Sequence, residues 1–173
     1  FNDKVQLIDA VVSKIPQGKL NGTIIALKNY DGDVVSDQVA GEHKSLGLMD
    51  STLVSADGTL LADPPHGTAP DLEQAWHDKK ILLANPAAHI FAYAEAIRHK
   101  AELNGQEEGV ELAKKLKLAV VATIEAGLKT SNLTGDLAID KSKSITGQQF
   151  IANVRDTYAK MIAPAGLAKA AAR

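Results

Sequence analysis

Lys28-Asn29-Tyr30-Asp31-Gly32-Asp33-Val34-Val35-Ser36-Asp37 sets three aspartates around a single glycine, and the rest of the chain is read outward from it. The five residues before it, Thr23-Ile24-Ile25-Ala26-Leu27, form an apolar, β-branched run that reads as a buried strand. Gly32 between two aspartates reads as a sharp break at the carboxyl end of that strand. Asp33 then reads as the cap of a helix starting there, its carboxylate accepting from free backbone N–H groups. Asp33 and Asp37 are one helical turn apart, so both carboxylates fall on one face. Two close carboxylates repel unless a cation lies between them. Oxygen donors of this kind suit Mg²⁺ or Mn²⁺. A divalent-metal site at a strand-to-helix junction is therefore the first chemical reading. Aspartates near a helix N-terminus also occur for capping and dipole reasons alone, and spacing by itself leaves both explanations open. A calcium loop is excluded. Asp31, Asp33, Asp37 and Glu42 fall on four of its ligand positions, but Ser36 stands where the loop needs glycine and Val35 where it needs an oxygen donor.

The chain has 173 residues, enough for one domain with a sizeable core. Its 19 Lys and Arg against 21 Asp and Glu leave a net charge of −2, so there is no electrostatic footprint for nucleic acid. No run of eighteen apolar residues is present to span a membrane. The absence of cysteine excludes disulfides and thiolate metal sites and fits a reducing compartment. The expected location is the cytoplasm, or the mitochondrial matrix in a eukaryote. A chain that opens at Phe1, without an initiator Met or a secretory signal, reads as a piece of something longer.

Periodicity supplies the remaining elements. Val5, Ile8, Val11, Val12 and Ile15 make a helical stripe ended by Pro16. Ala40-Gly41 and Ser45-Leu46-Gly47 read as a glycine-punctuated turn. Ser51 to Ser55 and Thr59 to Ala62 read as two short strands joined through Asp57-Gly58. A loop from His66 to about Asn85 holds one short helix around Leu72 to Trp76. Pro86 then opens a helix whose inner face is Ala87, Ile90, Phe91, Ala94, Ile97 and Ala101, stopped by Asn104-Gly105. The next helix runs from Gln106 to Ala126, and the two are expected to form an antiparallel hairpin. Thr130 to Ile145 is irregular, Gln148 to Met161 is a last helix, and Ala163 to Arg173 reads as a frayed tail. This order predicts an α/β fold with helices packed on a small sheet.

His66-Gly67-Thr68-Ala69-Pro70-Asp71 is the second unusual stretch. Gly67 lets a backbone approach a ligand closely and Pro70 stiffens the loop. His66 offers a ring for stacking and Thr68 a hydroxyl. Asn85 before Pro86 can cap the following helix and still turn its amide toward a base edge. Read alone, each feature is equally well a tight loop and an ordinary cap.

Taken together, the motifs resemble those of the isocitrate/isopropylmalate dehydrogenase family. Asn29-Tyr30-Asp31-Gly32-Asp33 with Ser36-Asp37, then Ser45-Leu46-Gly47-Leu48-Met49, is similar to the eukaryotic-type isocitrate dehydrogenases. Leu7-Ile8-Asp9, His66-Gly67-Thr68, Asn85-Pro86 and Thr123-Ile124-Glu125-Ala126-Gly127 match in the same order, so the resemblance runs to about Leu137. It implies an incomplete α/β fold of that family: residues 1–50 belong to a small, metal-carrying, dimer-contact domain, and residues 51–173 to the end of a large, cofactor-binding domain. It implies that Asp33 and Asp37 hold Mg²⁺ or Mn²⁺, and that Asp9 completes the metal site of the partner in a homodimer. The ion would chelate isocitrate and act as a Lewis acid during its decarboxylation to 2-oxoglutarate. Asp31 takes either a place beside the metal or a structural one.

The resemblance also implies that His66, Gly67, Thr68, Ala69, Pro70, Asp71 and Leu72 form the adenosine loop, with Asn85 as the adenine contact. The glycine-rich dinucleotide fingerprint is not used by this family, so its absence from this chain carries no weight. NADP users of the eukaryotic type carry Arg-His where this chain has Asp71-Leu72. An aspartate repels a 2′-phosphate but accepts from a free ribose 2′-hydroxyl, so NAD is expected, with NADP as the alternative. His43, Lys44, Trp76, His77, His89 and His99 are assigned to packing or surface duty. Lys14, Gln17 and Lys19 lie near a phosphate-contacting region of the family and receive no role, because the spacing between Asp9 and Asp33 differs by one residue. The arginines, tyrosine and lysine that grip and process the substrate in this family have no counterparts in this chain; Lys28 and Tyr30 belong to the metal motif. Activity of this chain alone is therefore not expected. A non-catalytic regulatory or nucleotide-binding subunit, and a dehydrogenase of isopropylmalate or tartrate, are the competing readings.

Overall fold

A computed structural model describes residues 5–43, 46–64, 70–78, 85–130, 133 and 144–163, and the architecture is that of these residues. The chain divides into two compact units, Phe1–Leu46 and Gly47–Arg173.

The first unit carries two helices, α1 (Ile8–Lys14) and α2 (Asn29–Glu42). α1 ends where the Pro16 ring stops a helix, with Val11 buried. A turn follows in which Gly18 and Gly22 take positive φ angles of 66° and 72°, a region that side chains with a Cβ resist. Several expectations fail in this unit. Residues 23–28 run without regular structure rather than as a strand, and Ile24 is 86% exposed. A strand needs a neighbour for its backbone groups, and among the described residues nothing pairs with this one. Gly32 is also no break, and Asp33 is no cap. α2 starts four residues earlier, at Asn29, with Lys28 at the cap position and no side-chain cap bond. The Gly32 amide donates to the Lys28 carbonyl at 2.7 Å, as in any helix. Gly41 likewise lies inside α2, where a turn was expected. Glycine lowers helix propensity by only about 1 kcal/mol, and Val35 and Ala40, both buried, hold α2 in place by packing.

A short 3₁₀ turn, Leu46–Leu48, spans the boundary, and the second unit continues with a hairpin of β1 (Ser51–Val54) and β2 (Leu60–Asp63). The strands are antiparallel, with Ser51 opposite Asp63 and Val54 opposite Leu60. Gly58, at φ 84°, turns the chain. The Ser55 amide donates to the Thr59 carbonyl at 2.9 Å across the loop mouth. Inside it the Asp57 carboxylate accepts from the Ser55 hydroxyl and the Thr59 amide; these two bonds hold its pKa down to about 2.

After α3 (Pro70–His77) come α4 (Ala87–Leu103), α5 (Glu107–Glu125) and α6 (Gly147–Ile162). α4 and α5 form the expected antiparallel hairpin. Ala101 faces Gly109 so closely that a Cβ on Gly109 would lie 2.7 Å from that of Ala101, and Glu95, nearer the start of α4, meets Lys117, nearer the end of α5, at 3.0 Å. α6 packs on α5, where the hydroxyls of Thr123 and Thr157 meet at 3.3 Å. Thr146 starts α6 with a full capping box: its hydroxyl accepts from the Gln149 amide and the Gln149 side chain accepts from the Thr146 amide. The core of this unit is Ala87, Ala119, Val120, Leu133, Phe150 and Val154, with Leu48, Ile90, Phe91, Leu116, Ile124, Ile145 and Tyr158 packed at its edge. The architecture is a partial α/β one, mostly helical, with one small sheet. Residues 164–173, expected to be a frayed tail, and most of 131–143 lie outside the described residues.

Candidate metal and cofactor sites

Asp33 and Asp37 stand one turn apart in α2, and both are exposed. Moving the helix start to Asn29 leaves this spacing untouched, because both residues stay inside one continuous helix. Neither carboxylate is paired with a lysine or arginine among the described residues. The Ser36 hydroxyl between them donates to the Asp33 carbonyl at 3.2 Å and so is turned back onto the backbone. Two free carboxylates at this spacing fit a hard divalent cation as part of its oxygen shell. They do not complete one. Among the described residues no three of His, Cys, Asp and Glu are gathered closely enough to hold a metal. Asp9 therefore does not join Asp33 and Asp37 within this chain. It sits exposed in the first turn of α1, where its carboxylate accepts from the neighbouring Ala10 amide at 2.8 Å. Asp31, half-buried, lies in the first turn of α2, where a negative charge meets the positive end of the helix dipole.

His66, Gly67, Thr68 and Ala69 of the expected adenosine loop lie outside the described residues. Pro70 follows as the first residue of α3, with Asp71 and Leu72 in the same opening turn. A proline suits that position, since its missing N–H has no partner there in any helix.

Asn85 does more than cap α4. Its Oδ1 accepts from the Ala87 amide at 2.9 Å, while its Nδ2 donates to the Gly47 carbonyl, 38 residues earlier, at 2.7 Å. The amide expected to face a base edge is thus largely engaged by the protein.

Sequence reading missed a second polar cluster. Glu95 binds Arg98 and Lys117, Arg98 also binds Glu102, and Lys117 reaches Asp50 at 3.3 Å. The Arg98 guanidinium, first, and then the Lys117 ammonium hold Glu95 at a pKa of about 2 against the cost of its burial. Burial alone would lower Lys117, but the carboxylates of Glu95 and Asp50 outweigh it and raise its pKa. The spacing of Glu95, Arg98 and Glu102 along one helix face was the available signal. The partners on α5 and before β1 had none.

His43, His77 and His99 make contacts of the structural kind expected of them. His99 meets the Gly58 carbonyl at 3.0 Å and ties α4 to the hairpin turn. His43 contacts the Val39 carbonyl at 2.9 Å, and His77 lies 4.0 Å from Glu73. Among the described residues no helix is long and apolar enough to cross a membrane.

Residues 2–154 match the family model described as isocitrate/isopropylmalate dehydrogenase. Isocitrate dehydrogenase [NADP] 1 of Mycobacterium tuberculosis (strain ATCC 25618 / H37Rv) is 37% identical over 162 residues, 91% of this chain and 38% of the relative. The mitochondrial isocitrate dehydrogenases [NADP] of Homo sapiens and Sus scrofa are each 37% identical over 131 residues, 75% of this chain and 29% and 31% of theirs. The chain thus spans between 29% and 38% of the length of these relatives. Their names carry NADP, so they lend no support to the preference for NAD drawn from Asp71. With the model match covering most of its length and the expected motifs in order, the chain belongs to the isocitrate/isopropylmalate dehydrogenase family of oxidoreductases.

Proposed function

We propose that this chain is the carboxyl-terminal part of a metal-dependent isocitrate dehydrogenase that converts isocitrate to 2-oxoglutarate and CO₂ with a nicotinamide dinucleotide. The observation that carries the reading is the pair of free, exposed carboxylates of Asp33 and Asp37 on α2, in a chain of this family. Residues 1–50 are assigned to the metal-carrying, dimer-contact part and residues 51–173 to the cofactor-binding part. Asp33 and Asp37 would hold Mg²⁺ or Mn²⁺ together with Asp9 of the partner subunit in a homodimer; one chain's own Asp9 does not reach them. A bound divalent ion supplies Lewis acidity at the substrate oxygen it ligates. The task of Asp33 and Asp37 is to fix that charge at one place on a rigid helix. His66 to Leu72 would take the adenosine end of the cofactor. The relatives' names favour NADP; the carboxylate at position 71 works against a 2′-phosphate. The cytoplasm or the mitochondrial matrix is the assigned location, and two of the relatives are mitochondrial by name.

The test is an assay of the full-length enzyme with isocitrate, isopropylmalate or tartrate, each with NAD or NADP and Mg²⁺ or Mn²⁺. Isocitrate should be turned over with release of CO₂. Asp33→Asn and Asp37→Asn should each weaken Mn²⁺ binding by at least about tenfold, since even outer-shell losses cost that much. No turnover of isocitrate by the wild type, or Mn²⁺ affinity unmoved in both variants, would sink the proposal.

A further inference from the structure

Four steps in the chain join an Asn or Asp to a following glycine: Asn21-Gly22, Asp31-Gly32, Asp57-Gly58 and Asn104-Gly105. Such a step is chemically weak. With no Cβ on the glycine, its backbone nitrogen can close on the side-chain carbonyl carbon of the residue before it, and asparagine is among the residues that heat and time degrade. The reaction needs a glycine nitrogen that is not held elsewhere, and the fold treats the four steps differently. The Gly32 amide donates to the Lys28 carbonyl at 2.7 Å, the Gly58 amide to the Ser55 carbonyl at 3.0 Å and the Gly105 amide to the Glu102 carbonyl at 3.1 Å. Gly22 makes no such bond among the described residues; the bonds of this turn run from its neighbours, Asn21 N–H to the Gly18 carbonyl at 3.4 Å and Thr23 N–H to the Leu20 carbonyl at 3.0 Å. Gly22 lies at φ 72° with nothing within 4 Å of the place a Cβ would take, and Asn21 is exposed. The two asparagine steps are alike in sequence, as Leu20-Asn21-Gly22 and Leu103-Asn104-Gly105. They differ in the fold. Asn104 closes α4, its own amide donating to the Lys100 and Ala101 carbonyls, and the Gly105 nitrogen is held in the same turn.

We propose that Asn21 is a site of spontaneous deamidation, and that the fold protects the sequence-matched Asn104. The Gly22 nitrogen gives its proton to solvent base and attacks Cγ of Asn21. The Cγ–Nδ2 bond breaks, ammonia leaves and a succinimide closes. Water then opens the ring at one carbonyl or the other, leaving aspartate or isoaspartate. Nothing is oxidised or reduced: one carboxamide and one water become one carboxylate and one ammonium. The product adds one negative charge to a formal net charge of −2. It lands two residues from Lys19, in the segment that joins α1 to α2. Isoaspartate also lengthens the main chain there by one atom, in a turn that Gly18 and Gly22 build with positive φ angles.

The test is incubation of the full-length protein at physiological temperature and pH, followed over time by tryptic peptide mapping. Cleavage after Lys19 and Lys28 isolates Asn21, and cleavage after Lys100 and Lys114 isolates Asn104. Deamidation at Asn21 should run about three- to tenfold faster than at Asn104, the factor that one amide hydrogen bond of ordinary net strength is worth. In concentrated urea the two sites should react at the same rate, because the shared Leu-Asn-Gly sequence is then all that remains. Asn21→Gln, whose longer side chain cannot close the five-membered ring, should leave the peptide 20–28 unchanged over the same period. Equal rates in the folded protein, or faster loss at Asn104, overturn the proposal. So does a ratio that persists in urea, since the difference would then lie in the sequence rather than the fold.

Discussion

Among single residues, Asp71 has the sharpest consequence. It stands in the first turn of α3, next to the loop proposed to take the adenosine end of the cofactor. A carboxylate there and a guanidinium there have opposite effects on a 2′-phosphate, because a charge-assisted bond is worth about 1.5–3 kcal/mol. Asp71→Arg combined with Leu72→His in the full-length enzyme should therefore move the ratio of kcat/KM for NADP over NAD upward by about tenfold or more. A ratio that stays put would show that position 71 does not face the ribose. Asp33 and Asp37 were legible in the sequence because a one-turn spacing survives an error in where the helix begins. The duty of Asn85 toward Gly47 was not, since no local pattern marks a partner 38 residues away.

Helices α4, α5 and α6 were read nearly to their ends from periodicity, glycine stops and Pro86. The starting cap of α6 is local chemistry: Thr146→Ala removes half of a reciprocal pair and should cost about 1 kcal/mol, visible as a lower midpoint of thermal unfolding. Thr146→Ser should restore most of it. The α4–α5 contact makes a second prediction. Glu95 has a pKa of about 2 in the folded chain against an ordinary 4.5, chiefly through Arg98 and then Lys117. Its folded value is depressed, so its stabilisation is fully present above pH 4.5 and is lost as pH falls from there toward 2. Glu95→Gln should flatten the acid side of the stability curve in that window. An unchanged slope would mean that the ion pairs form equally in the unfolded chain. At this scale the misread element was the run Thr23 to Leu27. Its composition is that of a strand, but a strand is a pairing, and composition says nothing about whether a neighbour exists.

For the whole molecule, the first unit is the informative part. Leu7 is 76% and Ile24 86% exposed, and the hairpin of the second unit leaves Leu53 and Leu61 about 60% exposed. Apolar side chains left so bare favour association with other surfaces. The chain of 173 residues alone should therefore bind more of an apolar dye such as ANS, per mole, than the full-length enzyme does, and should associate at lower concentration. Equal dye binding would show that these residues are exposed in the complete protein as well. The sequence by itself determined most of the helices, the hairpin, the family and the one-turn spacing of Asp33 and Asp37. All of these follow from spacings within a few residues or from motifs in a fixed order. Only the tertiary structure decided that residues 23–28 lack a sheet, that Asp9 stands apart from Asp33 and Asp37 within one chain, and that Asn85 and Lys117 find partners in distant segments. Those outcomes depend on which backbone and charge lie opposite, and long-range juxtaposition leaves no periodic trace along the chain.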